Sequence, residues 1–129
     1  MRGWLVVALV CSSLAGCGSG SDDASVRKAV HAWIDAVANH DGAAACAHLS
    51  SELHRRIARH LLGEGVKGGC NTWAARFVSP RHPASHRDAR ITAIRIHDAH
   101  ARVSLAAPST PSGWATLLKE RGHWLIDNY

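Results

Sequence analysis

The chain of 129 residues has no apolar run long enough to cross a membrane. Its N-terminal apolar stretch, about Trp4 to Val10, falls far short of the roughly 20 residues that a spanning helix needs. None of the four cysteines stands in the C-x-x-C spacing usual at zinc sites, and the ten histidines form no H-E-x-x-H pair. His82 and His86 lie four apart, but Pro83 between them opposes the regular helix that would aim both at one ion. Acidic residues are the scarcer charge, 10 against 15 Lys and Arg, yet a net +5 is too small an excess to argue a nucleic-acid partner. No metal, cofactor or nucleic acid is therefore expected.

What is present begins at the N-terminus. Met1-Arg2, the apolar run and the small residues before a cleavage point are the three parts of an export signal. The closing tetrapeptide Leu14-Ala15-Gly16-Cys17 resembles the bacterial lipoprotein box, in which the cysteine thiol receives diacylglycerol and the signal is cut just before it. That resemblance implies a signal peptide over residues 1–16 and lipidation of Cys17. It places the protein on the extracytoplasmic side of the cell membrane. Each buried CH₂ contributes about 0.8 kcal/mol, so two or three acyl chains anchor stably where one does so only marginally. Residues 17–24 read as the lipidated cysteine and a flexible tether, in which the small, polar stretch Gly18 to Asp23 has a reach of about 12–15 Å.

Removing residues 1–16 leaves 113, enough for one small domain with a single core over residues 25–129. Arg2 leaves with the signal, so the remaining charge is +4 with histidines neutral. Attraction to anionic headgroups would be worth up to about 1 kcal/mol per well-placed basic residue and is screened by salt. A merely solvated basic surface is the simpler reading. Cys11 also departs and Cys17 is consumed by lipid, which leaves Cys46 and Cys70 to pair in a compartment that oxidises thiols. Closing that loop of about 25 residues is worth about 3 kcal/mol in the chain-entropy model. Two free thiols, or a metal pair with histidines, are the alternatives.

Along the domain, Val26, Val30, Trp33 and Val37 recur at helical spacing, with Asp22, Asp23 or Ser25 able to cap the start and Asn39-His40-Asp41-Gly42 the stop. A short helix over Ala43 to His48 carries Cys46. Ser50 or Ser51 caps a third, with Leu53, Ile57 and Leu61 inward, and Gly63, Gly65, Gly68 and Gly69 break it. Cys70, Trp73, Ala74 and Phe77 predict a fourth, and Ser79 to His86 an irregular connection. From Arg90 the period falls to two: Ile94 and Ile96, then Ala101, Val103 and Leu105, around a turn at Asp98-Ala99-His100. After a loop over Pro108 to Gly113, Trp114 to Glu120 and His123 to Asn128 predict two more strands. Helices followed by an antiparallel meander predict an α+β domain with helices on one face of a curved sheet.

The order of these signals resembles the nuclear transport factor 2-like superfamily, the cystatin-like α+β cone. The residues that carry it are Trp33 in the first helix, the break at Asn39 to Gly42, Ala45-Cys46, Leu49-Ser50, Cys70 and the end Leu117 to Asp127. The resemblance implies a cone whose open end can hold a ligand, with a short sheet and a shallow pocket. It also implies an alternative, ketosteroid isomerase-like or polyketide cyclase-like catalysis by a base inside the cone.

Four residues are spaced to supply such a base: His31 and Asp35 on one helix face, His123 and Asp127 on one strand face. Polar residues at those spacings usually mark a solvated face, and no catalytic residue is assigned. His97 and His100 flank a turn and suit only opportunistic metal binding. Arg55, Arg56 and Arg59 could meet headgroups or an acidic partner, although Glu52 neutralises them in part. Trp33, Trp73, Trp114 and Trp124 read first as core. The candidate pocket comprises Trp33, Trp114, Trp124, His31 and Asp35, with Trp114 at the opening. The expected function is a non-enzymatic, membrane-anchored module for a small apolar ligand or an envelope partner.

Overall fold

A computed structural model describes residues 19–79, 88–108 and 110–129. Cys17, the signal segment and His82 and His86 lie outside the described residues. Four helices come first: α1 (Ser19–Ala38), α2 (Gly42–Ala47), α3 (Ser51–Gly63) and α4 (Cys70–Phe77). Four strands follow: β1 (Arg90–His97), β2 (His100–Ala107), β3 (Thr110–Glu120) and β4 (His123–Asn128). They form one open antiparallel sheet in the order β1-β2-β3-β4. The domain is α+β, as the change of period from helical to two requires.

Two boundaries differ from the sequence reading. The first helix starts at Ser19, so much of the expected tether is helical. The physical reason is tertiary: the Asp22 carboxylate is bonded to Lys119 and Trp124, which fixes the first turn against the sheet. β3 starts at Thr110, inside the expected loop, because Thr110 pairs with Ala107 and Gly113 with Leu105 across the β2 ladder.

One face of the sheet meets the helices. Val26, Val30 and Trp33 of α1 and Leu53, Ile57 and Leu61 of α3 are buried with Val103, Leu117 and Ile126 of the strands. The alternation places Ala101, Val103 and Leu105 inward, while Arg102 and its cross-strand partner Arg95 are exposed on the other face. α1 ends in a Schellman arrangement: Asp41 N–H donates to the Ala36 carbonyl and His40 N–H to that of Val37. His40 takes the left-handed position there, φ 56°, where glycine is the usual residue. Its Nδ1 sits 3.2 Å from the Val78 carbonyl oxygen, which ties the end of α1 to the end of α4. Cys46 and Cys70 form a disulfide between α2 and α4, with Cα atoms 5.8 Å apart.

Candidate functional site

Three structural groups organise the surface. The first lies at the β3–β4 turn. Asp22 Oδ1 accepts from Lys119 Nζ at 2.7 Å and from the Trp124 indole N–H at 3.3 Å. The Lys119 ammonium also stands 5.4 Å over the Trp124 ring. The hydrogen bond from Lys119 and then that from Trp124 hold the Asp22 carboxyl below its ordinary 3.8. Trp124 is consequently buried as a lock on α1.

The second group binds the start of α3 to β4. Ser50 Oγ accepts from Leu53 N–H at 3.0 Å and donates to Asp127 Oδ1 at 2.5 Å. It therefore caps α3 and satisfies a strand carboxylate with one hydroxyl. Arg56 donates to the Asp127 carbonyl oxygen and stands 3.7 Å from its carboxylate. Glu120 receives Ser51 N–H at 3.0 Å and Ser51 Oγ–H at 2.8 Å. Beside these contacts an open cleft of about 460 Å³ is lined by His48, Ser51, Glu120, Arg121, His123 and Trp124, among others.

The third group is aromatic. Trp33 and Tyr129 have ring centroids 5.0 Å apart, Tyr129 and Trp73 6.1 Å, and Trp73 and Phe77 5.8 Å. Trp33 is the buried floor, whereas Phe77 and Tyr129 are 45% and 47% exposed. Desolvation against the indoles pushes the Tyr129 phenol up to about 12.

No protein-family model matches the chain, and no curated protein matches it.

The residues marked from sequence are thus distributed differently from the expected pocket. His31 and Asp35 are exposed on α1, Trp33 and Trp124 are buried in separate contacts, and Trp114 is 45% exposed on the outer sheet face. Of the clefts formed by the described residues, the one at the β3–β4 turn is lined by one of the five, Trp124, and two others, of about 360 and 290 Å³, are lined around His40 and Asn71 and around Ala58 and Leu62. His123 is exposed at the turn, and Asp127 is occupied by Ser50 and Arg56. Ser50 is the only fully buried polar side chain among the described residues. Among them no three His, Cys, Asp or Glu side chains converge as a metal site, and no helix is long and apolar enough to cross a membrane.

The arginines of α3 are largely neutralised. Glu52 accepts from Arg55 at 2.6 Å and from Arg59 at 3.4 Å, and those bonds, that from Arg55 foremost, keep its carboxyl below the usual range. Sequence reasoning missed the aromatic surface because Phe77 and Tyr129 lie 52 positions apart and meet only through Trp73. The helical spacing of Trp73 and Phe77 was the one local signal.

Proposed function

We propose that this chain is an exported lipoprotein, anchored through Cys17 on the extracytoplasmic side of the cell membrane. Its domain, of the nuclear transport factor 2-like type, is a non-enzymatic module that docks an envelope partner or a small apolar ligand on Trp73, Phe77 and Tyr129. The observation that carries the docking reading is the exposure of Phe77 and Tyr129 over a buried Trp33. Clustered aromatics of this kind anchor interfaces because each buries a large rigid area at little entropic cost. Tyr129 follows β4 at the end remote from the β3–β4 turn, where Asp22 holds the first turn of α1. The Tyr129 ring meets Trp33 of α1 and Trp73 of α4, so these aromatics lie on the helix side of the sheet, opposite the outer face that carries Trp114.

A base for isomerase-like or cyclase-like chemistry needs an apolar, partly dry setting. The exposed positions of His31, Asp35 and His123 and the occupied state of Asp127 favour binding over catalysis. The Cys46–Cys70 disulfide suits the oxidising side of a membrane.

Labelling with a radioactive fatty acid is expected to mark the wild type and not Cys17→Ala; equal labelling overturns the anchor. A photocrosslinking residue at position 77 is expected to trap a partner or apolar ligand in intact cells that one at exposed position 59 does not. No adduct at 77, or the same adducts at both positions, overturns the docking surface.

A further inference from the structure

The outer face of the sheet carries a charge arrangement that the fold itself does not satisfy. Arg95 stands directly opposite Arg102 in the antiparallel register. Like charges in that position oppose strand pairing. The Arg102 guanidinium lies 5.0 Å over the ring of Trp114, which is 45% exposed. No ion pair of the described residues involves either arginine, in contrast to Arg55, Arg56 and Arg59 on α3. His97 and His100 pair in the next row of that face, toward the turn. Leu118 and Leu125 continue it toward β4.

We infer that this face, through Arg95, Arg102 and Trp114, docks on an anionic phospholipid surface. Charge and geometry together select that occupant. A second copy of the chain would bring one arginine pair against another, which charge opposes. An anionic bilayer supplies the missing countercharge, and an exposed tryptophan beside arginine suits the headgroup level. The placement rests on the proposed anchor at Cys17. Only Gly18 separates Cys17 from Ser19, two steps or at most about 7 Å of chain, and the first turn of α1 is held at Lys119 and Trp124. Lys119 follows Leu118, which is paired with His100, one row from Arg102. The anchor therefore holds this end of the sheet at the headgroups and raises their effective concentration at the basic face.

The test uses tryptophan quenching by brominated phosphatidylglycerol, with the signal of Trp114 taken as the difference between wild type and Trp114→Phe. The lipidated chain is placed in vesicles of phosphatidylcholine alone or with brominated phosphatidylglycerol, and association is read separately by flotation. The Trp114 component is expected to be quenched in anionic vesicles and released by high salt. In the unanchored Cys17→Ser chain at millimolar lipid, Arg95→Gln/Arg102→Gln is expected to weaken partitioning on the order of 30-fold. Arg95→Glu/Arg102→Glu is expected to abolish it, with thermal melts confirming that both variants fold.

Quenching that is equal with and without the arginines overturns the proposal, as does protection of Trp114 by a second copy or by an acidic peptide in place of lipid. Failure of the wild type to float with either vesicle overturns the anchor instead, because the Cys17→Ser partitioning reads the face on its own.

Discussion

Asp22 and Lys119, 97 residues apart, form a 2.7 Å ion pair that joins the first turn of α1 to the end of β3. Each side chain is about one third exposed, so solvent screens the pair, while the indole of Trp124 adds a second donor from below. The contact decides where the helix begins and hence how little chain separates the domain from Cys17.

Asp22→Asn is expected to lower the melting temperature at neutral pH. Because the folded carboxyl is held below its ordinary 3.8, its contribution is present above that value and is lost as pH falls through the lower folded pKa. Thermal melts from pH 7 to pH 2 should show the wild-type advantage shrinking only at the acid end. A constant difference would refute the assignment.

Ser50→Ala removes an N-cap and leaves the part-buried Asp127 without its hydroxyl donor. A loss of about 2–3 kcal/mol is expected in urea denaturation. A loss below about 0.5 kcal/mol would place the cap elsewhere.

Gly68 and Gly63 should respond in opposite directions to alanine. Gly68 has φ 149°, and a Cβ there would stand 2.1 Å from Thr72 Oγ1. Gly68→Ala is expected to destabilise by about 2 kcal/mol or more. Gly63 closes α3 with open space around it, so Gly63→Ala is expected to be neutral or to stabilise by up to about 1 kcal/mol. Equal effects in denaturation would contradict the backbone assignment.

Cys46→Ala/Cys70→Ala is expected to cost about 3 kcal/mol, since the bridge closes a 24-residue separation between α2 and α4. Denaturation with and without reductant checks this. An unchanged midpoint for the wild type under reductant would exclude the bridge.

Tyr129 is the chain's one tyrosine, so its ultraviolet titration reads a single group. The midpoint is expected near 12, with Trp73→Ala moving it toward 10 by opening the ring to water. The sign follows from the raised value: this contribution is complete below pH 10 and is lost as pH rises through about 12. A wild-type midpoint at 10 would remove the aromatic packing.

The elements were legible where the local pattern carried a physical demand. Leu53, Ile57 and Leu61 recur at helical spacing and are buried on α3, and Ile94 and Ile96 alternate with exposed Arg95 and His97 on β1. Cys46 and Cys70 could be paired once the other two cysteines had been assigned elsewhere. The start of α1 was not legible, because glycine and serine there have weak helix propensity and only Lys119 and Trp124 hold the turn. Nor was the role of Asp127, which reads as a candidate base until Ser50 and Arg56 surround it.

The sequence by itself determined the helix-then-strand order and the inward faces, because periodicity is a local constraint; the pairing of Cys46 with Cys70 was an expectation that the α2–α4 packing bears out. Tertiary structure decided which polar groups are spent on one another and which are left. Glu52 is shared between two arginines of α3, while the ladder sets Arg95 against Arg102 with no described carboxylate to pair with either. It likewise divided the tryptophans, burying Trp33 and Trp124 and leaving Trp114 on the outer face. Charge compensation and exposure depend on neighbours brought together from distant positions, so strand register and helix docking had to be known before either could be read.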